Sequence, residues 1–135
     1  MSEPEAGGKQ AIVTQAAPRA VGPYSQAVAA GGLLFCSGQI GLDPATGRLV
    51  EGGFEAEAER VLDNLEAVLA AAGTGLGDVL KLTVYVTDLA EFPALNRICE
   101  KRFDEPYPAR ATVEVSALPL GAAVEVDLVA RVTGR

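Results

Sequence analysis

The stretch FEAEAERVLDNLEAVLAAA, residues 54–72, is followed eight residues later by KLTVYVT, residues 81–87, and the two read in different periods. In the first, Phe54, Ala58, Val61, Leu62, Leu65, Val68, Leu69 and Ala72 recur at three- and four-residue steps. That spacing gives one wide apolar face of a helix. Glu55, Glu57, Glu59, Arg60, Asp63 and Glu66 fall on the other face, and Gly73 stands where a C-terminal cap belongs. In the second stretch apolar and polar residues alternate strictly and β-branched residues dominate, which predicts a half-buried strand.

Working outward, the N-terminal side predicts a short edge strand over Ala11–Val13 and a turn at Pro18 and Gly22-Pro23. Gln26–Ala30 and Leu33–Ser37 flank Gly31-Gly32, a two-residue connection that reads as a tight hairpin. Asp43-Pro44 and Thr46-Gly47 form a second polar turn. On the C-terminal side, Phe92, Leu95, Ile98, Cys99 and Phe103 predict a second amphipathic helix, with Pro93 tolerated in its first turn. Two alternating strands follow, Ala109–Ser116 and Ala123–Val132, joined through Leu118–Gly121 and expected as a neighbouring pair. The prediction is an α+β fold, a mostly antiparallel sheet with two helices on one face and the other face left to solvent or a partner. Residues 1–10 read as a flexible tail and 11–135 as one domain.

Composition narrows the chemistry. Of 135 residues, 49% are hydrophobic and 21% charged, the balance of a globular domain. The longest apolar and glycine run, Ala27–Cys36, is too short for a membrane span, and the acidic start Met1-Ser2-Glu3-Pro4-Glu5 lacks the core of a signal peptide. The chain has no histidine, which removes histidine-based nucleophile systems and histidine-ligated metals. Two distant cysteines, Cys36 and Cys99, cannot close a zinc site, and they read as buried small hydrophobes. The three lysines, Lys9, Lys81 and Lys101, follow no glycine-rich phosphate loop. A net charge of −7 disfavours nucleic acid as partner. The expected compartment is the cytoplasm. The remaining chemistry runs on carboxylates, arginine, hydroxyls and backbone groups.

Within the last strands, Val124, Val126 and Leu128 are placed toward the helices, so Glu125 and Asp127 point away. Val113 and Val115 are likewise placed on the core side, which sends Arg110, Thr112 and Glu114 to the open face. Periodicity leaves two outcomes: a solvated face with a surface ion pair, or a pocket flanked by arginine and carboxylate. Tyr24 beside its turn either packs on a neighbour or presents its hydroxyl. Ser37-Gly38-Gln39 marks either a bulge or a close approach of a ligand to the backbone. Asn96 on the second helix reads as an exposed polar residue or a local hydrogen-bonder.

Taken in order, Gly22-Pro23-Tyr24-Ser25-Gln26, Ser37-Gly38-Gln39-Ile40, Asp43-Pro44 with Thr46-Gly47, Val84-Tyr85-Val86-Thr87-Asp88, Asn96, Pro108-Ala109-Arg110 and Val124-Glu125-Val126 resemble the RidA family (YjgF/YER057c/UK114) of reactive intermediate deaminases. The resemblance runs from about Ala11 to Val132. It implies a chorismate-mutase-like fold assembled as a homotrimer with clefts between subunits. It also implies hydrolysis of the enamine and imine acids 2-aminoacrylate and 2-iminobutanoate to 2-oxo acids and ammonia, without metal or organic cofactor. On this match Arg110 clamps the substrate carboxylate, Glu125 handles the proton of the attacking water, and Tyr24 reaches the cleft from a neighbouring subunit. Ser37, Gly38, Asn96 and Thr112 complete the binding pocket. The chain departs from the family pattern at Gly41, Ala111, Thr112 and Leu120, the last standing where a lysine is usual. Rival readings are a 2-oxo acid sensor, a holdase, or a ribonuclease or translation inhibitor. The negative charge and the lack of a basic stripe oppose the nuclease.

Overall fold

Gly31 and Gly32 take the left-handed backbone, φ 59° and 79°, that a two-residue hairpin with the right twist requires. They join the second and third of six strands. The computed structural model describes residues 8–132. Its elements run β1 (Gln10–Ile12), β2 (Ala27–Ala30), β3 (Leu33–Gln39), α1 (Gly53–Ala71), β4 (Val79–Val86), α2 (Phe92–Arg102), β5 (Ala109–Glu114) and β6 (Val124–Arg131). The expected tail falls outside the described residues as far as Ala6 and Gly7, while Gln10 already pairs with Ala29. No helix among the described residues is long and apolar enough to cross a membrane.

The helix from Gly53 ends as expected. Gly73 (φ 80°) lets its N–H donate to Ala70 O and that of Thr74 to Leu69 O, both at 3.0 Å, a Schellman closure. Val61, Leu65, Val68 and Leu69 are fully buried and meet Leu34, Leu82, Val84, Val124 and Leu128 of the sheet in one core. Glu57, placed on the solvated face by its charge, is buried instead, and its Oε1 accepts the Ala123 N–H at 2.8 Å. Asn64 is also fully buried. Its Nδ2 donates to Leu42 O at 2.9 Å and to Ile40 O at 3.4 Å, and its Oδ1 accepts from Arg60 Nε at 3.0 Å. These polar contacts anchor the irregular segment after β3 to the helix.

The sheet runs β1-β2-β3-β6-β4-β5. Every pair is antiparallel except β4 with β5, which α2 connects as a parallel crossover. The expected pairing of the last two strands is therefore corrected: β4 lies between them. The expected facing of β5 is corrected too. Directly paired residues share a face, and Arg110, Thr112 and Glu114 pair with Leu82, Val84 and Val86, the core residues of β4. They stand on the helix side, and Val113, 42% exposed, stands on the open side. Glu125 and Asp127 do face away from the helices, pairing with Tyr85 and Thr83.

Replacing Asn64 with alanine removes the donor to the half-buried Leu42 O and to the buried Ile40 O. The expected loss is about 2 kcal/mol of unfolding free energy. Urea denaturation at fixed protein concentration measures it, and an unchanged midpoint would show that the segment is anchored by something else.

Candidate functional site

Two clefts, one on each side of the sheet, hold five of the sequence-predicted residues, Asn96 and Arg110 in one and Tyr24, Gly38 and Glu125 in the other, while Ser37 and Thr112 line neither. The first, of about 500 Å³, is lined by Leu82, Asn96, Cys99, Phe103, Tyr107 and Arg110, among others. Pro93 opens α2 at its first turn, and the helix then presents Phe92 and Asn96 four residues apart on one face. Both meet Arg110. Its Nη2 donates to Asn96 Oδ1 at 2.7 Å, and its guanidinium carbon lies 5.2 Å from the Phe92 ring centroid. Glu114 Oε1 accepts the Leu89 N–H at 2.9 Å and so ties the turn before α2 to β5. The arginine is held by a neutral carbonyl and an aromatic face, with its charge directed to the cleft. Thr112, two residues along the same face of β5, carries the one buried side-chain oxygen or nitrogen without a hydrogen-bond partner among the described residues.

The second cleft, of about 320 Å³, brings Tyr24, Gly38 and Glu125 together. A bulge between Cys36 and Gln39 sets Ser37 and Gly38 out of the regular ladder with β6. At Gly38 a Cβ would fall into the Glu125 side chain, 2.9 Å from its Cδ, so only glycine leaves the carboxylate its place. Of the two sequence alternatives the structure has the bulge, and what approaches the backbone at Gly38 is the Glu125 side chain. Ser37 is used in support: its Oγ donates to Ser25 O at 2.5 Å and its N–H to Gln26 O at 3.0 Å. Tyr24 is half exposed, and its hydroxyl accepts the Val21 N–H at 3.5 Å.

Burial pushes the Glu125 carboxyl above the ordinary carboxylate range, and the negative charge of Asp127 pushes it further. Asp127 itself accepts the Tyr85 hydroxyl at 3.0 Å. Burial also raises both thiols, Cys36 to about 12, and the nearby Arg110 partly opposes the rise at Cys99. Neither thiol is a ready nucleophile.

The structure thus brings Arg110 together with Asn96, and Glu125 together with Tyr24 and Gly38, but it does not bring the two groups together. Arg110 is aligned with Leu82 and Glu125 with Tyr85, three residues apart on one strand, so they lie on opposite faces. Two residues escaped the sequence reading. Gln26 is buried, its Oε1 accepting Thr14 N–H at 2.8 Å and its Nε2 donating to Pro18 O at 2.8 Å, which shapes the loop leading to Tyr24. Phe92 was read as core and is 40% exposed over Arg110; its four-residue spacing from Asn96 was the available signal.

Fold and clefts define an α+β protein with an arginine-lined cleft on the helix side of the sheet and a carboxylate-lined cleft on the other. A family model described as Endoribonuclease L-PSP matches residues 14–132. The Homo sapiens protein named 2-iminobutanoate/2-iminopropanoate deaminase is 43% identical over 122 residues, covering 90% of this chain and 89% of that one. Protein DfrA of Myxococcus xanthus is 51% identical over 124 residues, 90% of this chain and 95% of that one. The crystal structure of RidA from an Antarctic Psychrobacter superposes with a TM-score of 0.87 at 49% identity, covering 90% of this chain and 98% of that one. The chain belongs to the RidA family.

The Glu125 environment makes a titration prediction. Because its folded value is raised, the stability tied to its neutral form is complete below the ordinary carboxylate range. It is lost as pH climbs through the raised value. Asp127→Asn removes the second cause and leaves the first, so the Glu125 titration should move down yet stay above an exposed glutamate. Carboxyl-carbon NMR reads this directly, and an unmoved midpoint would exclude the Asp127 charge as a cause.

Proposed function

We propose that the chain hydrolyses reactive 2-imino acids, 2-iminobutanoate and the imine form of 2-aminoacrylate, to 2-oxo acids and ammonia. The site is a cleft completed between two copies of a homotrimer. The observation that carries this reading is the separation of Arg110 and Glu125 on opposite faces of one sheet. A second copy is the simplest source of the missing half. The open face also supports assembly, since Val28, Phe35 and Val129 pair in one row across it and Phe35 is 48% exposed.

In this reading the Arg110 fork holds the substrate carboxylate through two charge-assisted hydrogen bonds, steadied by Asn96 and Phe92. Water meets the imine carbon beside Glu125 of the neighbouring copy. A C–O bond forms, the C=N π pair moves to nitrogen, and nitrogen gains a proton from solvent while Glu125 takes one from the attacking water, the solvent proton being returned when the hydroxyl later ionises. The amino alcohol then collapses. Its hydroxyl proton leaves, the C–N bond breaks, and Glu125 returns a proton to the departing ammonia. Tyr24 orients the water or the nitrogen, and the Gly38 bulge keeps the carboxylate accessible. No step draws on a metal or organic cofactor. Sensing of 2-oxo acids would use the same arginine without turnover, so ammonia release separates the two readings.

Arg110→Ala should lower kcat/KM by about 10²-fold or more, with Arg110→Lys recovering little because it lacks the planar fork. Glu125→Gln should also be inactive. Refolding the two inactive variants together in equal amounts should restore about one quarter of wild-type activity, because one site in four receives both intact halves. Light scattering should give the mass of three chains. Wild-type turnover in a monomer, or no recovery in mixed oligomers of active-type mass, would sink the shared site. No acceleration of 2-oxo acid formation over the spontaneous rate by the wild type would sink the deaminase reading.

A further inference from the structure

Leu120 carries φ 57° and ψ 22°, the one left-handed residue other than glycine among those described. A leucine there is sterically disfavoured, and its side chain has no polar atom that would recover the cost through a local hydrogen bond. Nor does it gain burial, being 71% exposed. The conformation is imposed by its turn, in which Gly121 follows with φ 74° and Ala122 N–H donates to Pro119 O at 3.1 Å. An exposed apolar side chain held in a disfavoured backbone state calls for a role outside folding.

Its position supplies one. Leu120 lines the cleft of Tyr24, Gly38 and Glu125, together with Val21, which is 81% exposed. Ile40, Leu42 and Pro119 continue the same apolar wall. The geometry points to Leu120 and Val21 as a side-chain subsite that favours imino acids with aliphatic side chains larger than that of 2-iminobutanoate. This inference rests on the deaminase reading, because it takes the carboxylate to be held by Arg110 and the water by Glu125. The substrate side chain is bonded to the carbon that the water attacks, so it projects within a few bond lengths of Glu125 and onto this wall. An acidic side chain would instead meet the Glu125 charge. Arg19 is the cation lining the same cleft and is the feature that would favour an acidic chain.

The test compares imines made in situ by an amino-acid oxidase from 2-aminobutyrate, leucine and glutamate, scoring how far the protein diverts each from capture by semicarbazide. The wild type should favour the leucine imine over the 2-aminobutyrate imine by about tenfold in kcat/KM. Leu120→Asn, which suits the left-handed backbone, and Val21→Ser should each cut that ratio at least about fivefold. A ratio does not depend on the fraction of protein folded. An unchanged ratio in both variants overturns the subsite and leaves the deaminase reading standing. So does a preference for the glutamate imine, which would assign the side chain to Arg19. A lowered oligomer mass in Leu120→Asn overturns it as well, by making the apolar pair a subunit contact. If the wild type hydrolyses none of the three imines, the failure lies with the deaminase reading itself.

Discussion

A strand has two faces and two edges, and β4 uses all four. Its core face packs on the helices through Leu82, Val84 and Val86, and its edges carry β6 on one side and β5 on the other. That arrangement decides where every candidate group can act. Register along β4 assigns Arg110 to one face and Glu125 to the other, and no side-chain rotation reverses the assignment. The parallel pairing with β5 follows from α2, because a strand that returns through a helix runs the same way as its predecessor. The same crossover lays Phe92 and Asn96 over the arginine. One connection therefore sets the sheet order, the facing of β5 and the cradle of its guanidinium.

Much of this was legible in the residues. The helix over 54–72 and its glycine cap, the Gly31-Gly32 hairpin, and the facing of Glu125 and Asp127 all follow from period and turn chemistry, and the structure has them as read. The facing of β5 does not follow. The rule that apolar residues turn inward sent Val113 to the helices, yet the open face carries apolar residues of its own beside Glu125 and Asp127. Val28, Phe35 and Val129 make an apolar row there, and Ala109, Ala111 and Val113 stand on the same face beyond Lys81, Thr83 and Tyr85, while Arg110 borders a cleft beside α2. Hydrophobicity alone does not choose between two faces that both carry apolar residues. Sheet order was hidden for a related reason: a short connection suggests neighbours, and nothing local to residues 109–132 announces that β4 lies between.

The buried polar side chains were the other blind spot. Gln26, Glu57 and Asn64 each satisfy backbone groups far away in sequence, at Thr14 and Pro18, at Ala123, and at Ile40 and Leu42. Their types say only that they prefer water, and burial becomes favourable once distant partners meet them. All three hold irregular segments that regular ladders do not reach: the loop before Tyr24, the approach to β6, and the stretch after the Gly38 bulge. These segments form the rim of the Glu125 cleft, so its shape depends on amides and a carboxylate that take no part in the proposed chemistry.

Separating Arg110 from Glu125 also has an electrostatic consequence. Side by side in one subunit they would form an ion pair, which would occupy the guanidinium and pull the carboxyl down. Instead the arginine rests on Asn96 and Phe92, neither of which neutralises it, and Glu125 has Asp127 for its charged neighbour and sits above its ordinary range. Among the described residues neither Arg110 nor Glu125 forms an ion pair. In the proposed reaction an imino acid would supply an anion for the arginine and, as nitrogen gains its proton, a developing positive charge near the carboxylate. With no histidine in the chain, the carboxyl that burial raises is the group the proposed reaction uses as its base. The opposite-face placement of Arg110 keeps that cation from Glu125; Arg19 lines the Glu125 cleft, and burial with the Asp127 charge still leaves the carboxyl raised.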